Sequence, residues 1–436
     1  MHDAVIIGSG PAGYECARIV SELGGKAAII EKDKLGGTCT NHGCIPTKTL
    51  HASATLFSEL KKASKFGFII PNVSVDFKAF MERKNKVVRL ISAGIKKIMD
   101  DNKVEIIKGF AKIKDKNTVV VGDKEIKAKN IVIAAGASPR SLNGIPNNKF
   151  VLNSSQILEL KEMPSSLIII GGGYIGCEFA LIFASLGVKV TIIEMLKRIA
   201  SVEDKDVSSL LTTLMQRQNI DIFTEAKIIN LEGNKIKFEQ NKKEKSIQAD
   251  NILVSIGMDP NIDKAELDKL GIKYSKGIDI NKKMQTSVPN IYAIGDVTCK
   301  IMLAHYAYAQ AVIAAKNIMG QNAEFNDSTV PSAIFTIPEI SSVGERNENL
   351  KSVTFPFAAN GKARAMDEAD GFVKIYYEDG YLKGFCAIGP HASDLVSEAT
   401  LAIKNRIKLE DIKDTIHTHP TLSEAFSGAV EMALKD

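Results

Sequence analysis

The chain lacks any long hydrophobic run. Its longest nearly uncharged apolar stretch, residues 167–177, contains four glycines and is too short to cross a bilayer. The N-terminus runs directly into an apolar strand pattern, with no basic region followed by a cleavable apolar segment. We therefore expect a cytoplasmic protein with no membrane partner.

The chain also lacks a block of like charges and a low-complexity tract. Its net charge of +5 comes from lysines scattered along 436 residues, whereas proteins that bind nucleic acids concentrate their basic side chains. The balance of 45% hydrophobic and 25% charged residues is typical of a globular protein. A chain of this length holds about two to four domains. We expect no nucleic-acid partner.

Cysteine is scarce, and its distribution is informative. Six cysteines in 436 residues do not make a disulfide-stapled secreted scaffold. Only Cys39 and Cys44 lie close together, and such a pair in a reducing compartment is more typical of catalysis or metal binding than of structure. Zinc ligation usually needs four ligands, and the sequence has no second cysteine pair. We favour a redox pair and expect no metal, with inert buried thiols as the alternative.

One pattern occurs twice in the chain. Residues 8–31 and 171–194 align without gaps, and twelve of their 24 positions are identical. Each copy has an apolar strand, a G-x-G-x-x-G turn, a helix, and a second strand that ends at a glutamate. The first glycine permits the tight turn, the second lets a pyrophosphate approach the backbone, and the third packs the helix on the strand. We therefore predict two dinucleotide sites, with key residues Gly8, Gly10, Gly13 and Glu31 in one and Gly171, Gly173, Gly176 and Glu194 in the other.

The two copies differ in length. Each is followed by a second similar segment that ends on a glycine, Gly136 in the first copy and Gly257 in the second. Gly8 and Gly136 are 128 positions apart, but Gly171 and Gly257 only 86. Most of the extra residues lie between positions 35 and 101 and include the cysteine pair. Two nucleotide sites with a dithiol inserted in one of them suggest an electron relay.

The residues around the cysteine pair predict a reactive sulfur. A disulfide needs Cα atoms about 5.5 Å apart, closer than extended chain or regular helix would hold Cys39 and Cys44. We therefore expect residues 40–43 to curl irregularly. Pro46 fits the first turn of a following helix, so Cys44 lies at the positive helix end, where a thiolate is stabilised. Lys48, one turn on, adds positive charge on the same face.

Four segments resemble the class I pyridine nucleotide-disulfide oxidoreductases. GGTCTNHGCIPTK at 36–48 resembles their active-site motif, and TSVPNIYAIGDV at 286–297 their second FAD motif. PSAIFTIPEISSVG at 331–344 resembles the entry to their dimerisation domain, and HTHPTLSEAF at 417–426 their active-site histidine segment. The likeness covers essentially the whole chain.

The resemblance implies an α/β chain with two Rossmann-like dinucleotide-binding domains, for FAD and NAD, and a C-terminal α+β dimerisation domain. The implied divisions are 1–145 for the FAD-binding domain with its redox-disulfide insert, 146–264 for the NAD-binding domain, 265–330 for a central segment that returns to the FAD domain, and 331–436 for the dimerisation domain.

The resemblance also implies a role for each site residue. The substrate attacks Cys39, Cys44 is the thiolate beside the flavin, Lys48 pairs with Glu178 near the flavin, His419 is the general acid-base and Glu424 orients it. The residues implied to hold FAD are Gly8, Gly10, Gly13, Glu31, Gly37, Thr38, Lys48, Gly136, Asp296, Leu303, Ala304 and His305. Those implied to hold NAD are Gly171, Gly173, Gly176, Glu194 and Gly257. Without the resemblance, residues 421–424 are a helix capping box, and Lys48 and Glu178 are surface charges.

Within the family, the motifs GCIPTK, Leu303-Ala304-His305 and HPTLSEA resemble the branch that oxidises dihydrolipoamide, free or on a lipoyl domain. A carboxylate at Glu194 accepts a ribose hydroxyl and repels a 2′-phosphate, which favours NAD over NADP, although Lys197 and Arg198 lie close by. The resemblance implies a homodimer in which His419 reaches the disulfide of the other subunit. It also implies service in 2-oxo acid dehydrogenase or glycine cleavage systems, with an acyltransferase core as partner.

Some residues depart from the family pattern. His42 stands beside the thiols and could shift their pKa, Met258 replaces an arginine, and the helix after His305 reads YAYAQA instead of a glutamate-rich sequence. Three alternatives remain: a related flavoprotein reducing another low-molecular-weight disulfide, a peroxide- or oxygen-reducing flavoenzyme, and a nucleotide-binding interaction protein without catalysis. The intact cysteine pair argues against the last two.

Overall fold

The computed structural model describes residues 1–142 and 148–436. The predicted division between residues 145 and 146 lies outside the described residues, and the domain limits stay predictions. Among the described residues, no helix has both the length and the apolar character needed to cross a membrane.

Strands account for most of the chain's buried apolar runs. In chain order they are β1 (His2–Ile7), β2 (Ala27–Glu31), β3 (Glu105–Lys108), β4 (Ala111–Asp115), β5 (Thr118–Val121), β6 (Lys124–Ile133), β7 (Ala137–Pro139), β8 (Val151–Asn153), β9 (Ser166–Ile170), β10 (Lys189–Ile193), β11 (Asp221–Phe223), β12 (Ala226–Glu232), β13 (Lys235–Gln240), β14 (Lys243–Gln248), β15 (Asn251–Val254), β16 (Met258–Pro260), β17 (Ile291–Ala293), β18 (Ser332–Ile334), β19 (Glu339–Gly344), β20 (Lys351–Pro356), β21 (Phe372–Glu378) and β22 (Tyr381–Gly389).

Helices cover the sheets and supply the dithiol segment. In chain order they are α1 (Pro11–Glu22), α2 (Gly37–His42), α3 (Cys44–Lys61), α4 (Phe77–Asp101), α5 (Tyr174–Ser185), α6 (Lys205–Arg217), α7 (Lys264–Leu270), α8 (Ala304–Ile318), α9 (Gly361–Ala365), α10 (Ala392–Asn405), α11 (Leu409–Asp414) and α12 (Glu424–Ala433). Short 3₁₀ turns lie at Ala63–Phe66, Ile157–Glu159, Gly295–Thr298 and Phe357–Ala359.

The first sheet has the order β3-β2-β1-β6-β5-β4, and β17 also pairs with β6. β1, β2, β3, β17 and the second half of β6 run parallel, and β4 and β5 form an antiparallel extension on the first half of β6. Parallel strands are covered on both faces, which explains why Val5, Ile6 and Ile29 are fully buried. Helices α1 and α8 pack together over this sheet.

In the second sheet, the parallel order β11-β10-β9-β15 repeats the order β3-β2-β1-β6 of the first. Strand β8 pairs with β15, and all strands of this sheet run parallel. Its central strand, β9, is nearly pure isoleucine and leucine, as expected for a strand covered on both faces. Helix α5 follows it and is buried on almost every side. The two predicted dinucleotide units therefore have the same core arrangement.

The C-terminal region forms an antiparallel sheet in the order β18-β19-β22-β21-β20, covered by α10 and α12. Smaller antiparallel sheets join β12, β13 and β14, and pair β7 with β16. The fold is thus a mixed α/β architecture with two parallel nucleotide-binding sheets and a C-terminal α+β unit, which confirms the predicted fold class.

Candidate active site

The two glycine turns have the same backbone geometry. Gly8 and Gly171 adopt φ of +101° and +103°, the left-handed region that favours glycine. A Cβ on Gly13 would lie 1.9 Å from the carbonyl oxygen of Gly8, and one on Gly176 would lie 2.0 Å from that of Gly171. The third glycine therefore has to be glycine because helix and strand touch there.

The second glycine of each turn faces open space. A Cβ added at Gly10 or Gly173 would meet no atom within 4 Å among the described residues, and both glycines line one cavity of about 1220 Å³. Each is the N-cap residue of the helix that follows, so neither helix has a side-chain hydrogen bond at its N-cap. Two helix N-termini thus face a shared cavity with room for an anion, and this fits an FAD and a nicotinamide nucleotide.

The terminal glutamates make matching contacts. The carboxylate of Glu31 accepts hydrogen bonds from the N–H groups of Ser9 and Asp33, both at 2.9 Å. That of Glu194 accepts from the N–H groups of Gly172 at 2.6 Å and Leu196 at 2.7 Å. Each carboxylate therefore ties its second strand to its glycine turn. Glu31 lines the cavity, whereas Glu194 is buried and is not among the described residues that line it.

The cysteine pair lies against the first glycine turn. Helix α2 begins at Gly37, and a Cβ there would lie 2.6 Å from the Cα of Gly10. Cys39 is the third residue of α2, and Cys44 is the first residue of α3. Both line the cavity.

The expectation that residues 40–43 curl irregularly is wrong in part. Residues 40–42 are helical, and only Gly43 breaks the helix. The chain folds back at this one glycine, where a Cβ would lie 3.2 Å from the carbonyl oxygen of Thr38. One reversal between two helices brings the sulfurs together, so a longer irregular stretch is unnecessary.

The two thiols are strongly unequal. The Cys39 and Cys44 side chains share a hydrogen bond, which together with burial raises the pKa of Cys39 far above its ordinary value. The hydrogen bond from Cys39, followed by the charge of Lys48, lowers the pKa of Cys44. His42 is not a main cause of either shift; its Nε2 lies 3.3 Å from Asp33 Oδ2. Cys44 is thus the more acidic thiol of the pair, and Cys39 the less acidic one.

A charged pair joins the dithiol helix to the second unit. Lys48 Nζ donates to both oxygens of Glu178, at 3.0 and 2.8 Å. The carboxylate of Glu178 is buried and also accepts from the N–H of Phe335 at 2.9 Å, while Lys48 Nζ lies 4.4 Å from the centre of the Phe335 ring. The prediction paired Lys48 with Glu178 but missed Phe335, because no local pattern marks a backbone donor.

The remaining predicted FAD residues line the same cavity, except for His305. Those that line the cavity are Gly8, Gly37, Thr38, Gly136, Asp296, Leu303 and Ala304. Burial raises the pKa of Asp296 to about 6. His305 does not line this cavity; its Nε2–H donates to the carbonyl oxygen of Pro331 at 2.7 Å, and it borders a separate cavity of about 420 Å³.

The predicted NAD residues surround the second turn. Gly257 lines the cavity together with Tyr174, which the sequence analysis did not single out. Arg198 donates to the carbonyl oxygens of Ser201 and Glu203, both at 3.0 Å. These two hydrogen bonds hold the Arg198 side chain within its own loop, so it is poorly placed to bind a 2′-phosphate.

His419 and Glu424 form a pair away from the thiols. His419 Nδ1 lies 2.7 Å from Glu424 Oε1, and the His419 side chain is 79% exposed. The Thr421 N–H and then His419 lower the pKa of Glu424. Among the described residues that line the cavity, neither His419 nor Glu424 appears. Within one chain, this pair therefore does not line the cavity that the two cysteines line.

The predicted capping box at residues 421–424 is only half formed. The Thr421 N–H donates to Glu424 Oε2 at 2.8 Å, as a capping box requires. The Thr421 hydroxyl instead contacts Thr418 and Ser423, and the helix begins at Glu424. The carboxylate is shared between the loop and His419, which delays the start of the helix.

Comparison with known families gives matches to two family descriptions. Residues 2–311 match "Pyridine nucleotide-disulphide oxidoreductase", and residues 330–430 match the dimerisation domain of the same family. Among curated relatives, the dihydrolipoyl dehydrogenase of Chlamydia pneumoniae is 42% identical over 445 residues, covering 99% of this chain and 96% of the relative. That of Staphylococcus aureus is 39% identical over 451 residues, with the same coverage.

Two solved structures have a similar fold over their whole length. LpdA from Mycobacterium tuberculosis aligns with a TM-score of 0.90 at 26% identity, covering 99% of each chain. The Cu(II) complex of the HOCl-induced flavoprotein disulfide reductase RclA from Escherichia coli aligns with a TM-score of 0.88 at 28% identity, also covering 99% of each. Both similarities include the dithiol insert and the C-terminal unit.

Proposed function

The chain belongs to the pyridine nucleotide-disulphide oxidoreductase family, and from that premise we propose that it oxidises dihydrolipoamide to lipoamide and reduces NAD to NADH, the dihydrolipoyl dehydrogenase reaction. The observation that carries the proposal is an unequal thiol pair facing a cavity that two glycine turns share. The full-length similarity to dihydrolipoyl dehydrogenases supports this substrate. The second candidate is a related flavoprotein disulfide reductase that acts on another low-molecular-weight disulfide, and the similarity to RclA, a flavoprotein disulfide reductase, is consistent with it.

The residues around the first turn would hold FAD, and those around the second would hold the nicotinamide nucleotide. FAD, when bound, would supply two-electron redox chemistry between the thiols and the nicotinamide nucleotide. Gly10 and Gly173 leave room for the two pyrophosphates, and Asp296 faces the cavity as a carboxylate acceptor for hydroxyl groups.

The thiol chemistry follows from the unequal sulfurs. His419 removes the proton of one substrate thiol, and the resulting thiolate attacks Cys39 of the oxidised pair. The Cys39–Cys44 bond breaks, and Cys44 leaves as a thiolate that Lys48 stabilises. The second substrate sulfur then displaces Cys39, which forms the disulfide of lipoamide, and its proton passes to Cys39. The directions of the two cysteine pKa shifts support this final distribution of protons.

Steady-state reduction of NAD by dihydrolipoamide tests the proposal. NADP replaces NAD in a parallel assay, and reduced glutathione replaces dihydrolipoamide in another. We expect turnover with dihydrolipoamide and NAD, and much slower turnover in both alternatives. Faster turnover with glutathione than with dihydrolipoamide would support the second candidate instead.

We further propose a homodimer in which His419 of one chain serves the cysteine pair of the other. Its exposure and its separation from the cavity of its own chain support this arrangement, as does the match to the dimerisation domain. A dimer of one Cys44→Ser chain and one His419→Ala chain should recover about half of the wild-type activity, because one of its two sites is intact. No recovery would mean that each chain uses its own histidine.

The proposed location is the cytoplasm, where a reducing environment keeps an unpaired dithiol available for catalysis. There the enzyme would reoxidise lipoyl groups of a 2-oxo acid dehydrogenase or glycine cleavage system, with an acyltransferase core as a binding partner. Activity toward a lipoyl domain, compared with free dihydrolipoamide, tests that step.

A further inference from the structure

A buried carboxylate without a full set of partners lies beside the second glycine turn. The Glu203 side chain is 1% exposed. Its Oε1 accepts hydrogen bonds from the hydroxyls of Tyr174 at 3.2 Å and Ser332 at 3.4 Å. Its Oε2 accepts none from any residue that the structure describes. Since a buried charged acceptor without a donor is costly, this oxygen needs a cation.

Arg346 supplies that cation, but it lies too far from Glu203 for a hydrogen bond. Its Nη2 lies 3.9 Å from Glu203 Oε2, beyond hydrogen-bond distance, and its side chain is 20% exposed. Arg346 also lines the cavity. Arginine carries five N–H donors in a planar fork that matches phosphate oxygens. One edge of the fork can face Glu203 while the rest faces a ligand in the cavity.

The position of the cluster indicates which part of a ligand it would meet. Tyr174 is the first residue of α5, so the cluster adjoins the helix N-terminus that faces an anion. Ser332 and Arg346 line the same cavity as Gly173. Arg198, which lies in the same loop as Glu203, donates instead to two backbone carbonyls. Arg346 is therefore the arginine placed to meet a pyrophosphate held at this turn.

The equivalent place in the first unit holds the reactive cysteine. The Gly36 N–H donates to the carbonyl oxygen of Ser9, and the Ala200 N–H donates to that of Gly172. Three residues beyond these matching hydrogen bonds lie Cys39 and Glu203. The fold thus brings this position of each unit to its nucleotide site.

We propose that Arg346 binds the pyrophosphate of the nicotinamide nucleotide and that Glu203 positions its guanidinium. The inference rests on the proposed function only for the use of a nicotinamide nucleotide, not for the thiol substrate. Arg346 is a binding residue in this account, and Glu203 acts through it as a positioning residue.

Calorimetric titration of the flavin-bound protein with NADH and with ADP-ribose tests the proposal without any thiol substrate. In Arg346→Gln, we expect both dissociation constants to rise about tenfold or more, as for loss of a hydrogen bond to a charged group. ADP-ribose keeps the pyrophosphate but lacks nicotinamide, so an equal loss for both ligands excludes the nicotinamide ring as the contact, as the proposal requires. Dissociation constants within twofold of wild type would overturn the proposal, as would a loss confined to NADH.

Further variants separate positioning from folding. Arg346→Lys keeps the charge without the fork and should give an intermediate loss; it also replaces Arg346→Gln if that variant fails to fold. Glu203→Gln should weaken ADP-ribose binding less than Arg346→Gln does, and should add little when combined with it. Additive losses in the double variant would contradict a shared role. Arg217→Gln removes an exposed arginine, 3.8 Å from Asp370, and should leave both dissociation constants unchanged.

The same variants distinguish this inference from the proposed function. If dihydrolipoamide is not a substrate but Arg346→Gln weakens both ligands, the proposed function fails and the inference stands. If dihydrolipoamide turns over but nucleotide binding is unchanged in Arg346→Gln, the inference fails alone.

Discussion

The two nucleotide units share their turns and differ in the segment that comes after the second strand. Gly8 and Gly171 each donate an N–H to the last residue but one of the unit, Ile30 O at 2.8 Å and Ile193 O at 2.9 Å. The terminal glutamates then close both turns through the same pattern of N–H donors. After this point, residues 32–104 of the first unit carry α2, α3 and α4, whereas residues 195–220 of the second carry α6.

This difference separates binding from chemistry. The shared part of each unit offers glycine backbone, a helix N-terminus and a carboxylate, which hold a nucleotide but cannot exchange electrons with a thiol. The insert supplies the two sulfurs and Lys48. Glu178 of the second unit then pairs with that lysine, so the two units meet at the dithiol.

The largest effect should come from disrupting the cysteine pair, which the second unit lacks. Cys44→Ser should lower NAD reduction by dihydrolipoamide about a thousandfold or more, because the thiolate that leaves the disulfide is lost. Flavin absorbance should remain, since Cys44 is not part of the glycine turn. Cys299→Ser, at an isolated and half-buried cysteine, is the control and should keep its activity. Retained activity in Cys44→Ser would place the chemistry elsewhere.

Alanine at the third glycine should impair each unit separately. Gly13→Ala and Gly176→Ala both force a Cβ into a backbone carbonyl, at 1.9 and 2.0 Å, and such overpacking costs about 1–3 kcal/mol. Gly13→Ala should lower flavin content, whereas Gly176→Ala should keep flavin and weaken NADH binding. Both are measured on purified protein, by absorbance and by titration.

The control for these two variants is Gly94→Ala in the middle of α4. A Cβ there meets no described atom within 4 Å, so it should stabilise the helix by about 0.5–1 kcal/mol. If Gly13→Ala and Gly176→Ala lost the same ligand, the two units would not have separate ligands.

Removing the positive charge of Lys48, which connects the two units, should change the pH dependence of Cys44 alkylation. Lys48 helps to lower the pKa of Cys44, so the thiolate persists to lower pH while the lysine is present. In Lys48→Met, the pH midpoint for alkylation of Cys44 in the reduced enzyme should therefore move upward. Activity at pH 7 should fall about tenfold, as for loss of a hydrogen bond to a charged group. Lys62→Met, at an exposed lysine, should leave the midpoint unchanged.

The smallest effect should come from the matched glutamates. Glu194→Gln removes the charge that repels a 2′-phosphate, so the preference for NAD over NADP should fall severalfold, up to about tenfold. Glu31→Gln in the first unit should weaken FAD retention and leave that preference unchanged. The ratio of kcat/KM for the two nucleotides measures the first effect. An equal change of the ratio in both variants would remove the distinction between the two acids.

The sequence predicts the parts of this architecture that depend on short-range geometry. The glycine turns, their helices and their terminal acids lie within 24 consecutive residues of each unit, so spacing alone identifies them. Cys39 and Cys44 are likewise close in sequence. The fold class and the FAD- and NAD-dependent disulfide oxidoreductase activity follow from these patterns and from the family resemblance.

Contacts between distant segments could not be predicted in the same way. The N–H of Phe335 reaches Glu178 across 157 positions, and Arg346 meets Glu203 only because the C-terminal sheet packs beside α6. The prediction of an irregular conformation for residues 40–42 assumes that one continuous segment holds both cysteines. Instead, each cysteine lies on its own helix, and the two helices meet at Gly43. This arrangement brings the two cysteines close without an irregular stretch.

The most direct test of the central claim is to locate the thiols that appear on reduction. The oxidised, flavin-bound protein is mixed without oxygen with one equivalent of dihydrolipoamide, then alkylated and mapped by mass spectrometry. We expect two newly alkylated residues per chain, Cys39 and Cys44, and we expect this labelling to disappear when NAD is added before the alkylating agent. Labelling that is the same with and without dihydrolipoamide, or that falls on other cysteines, would contradict the central claim.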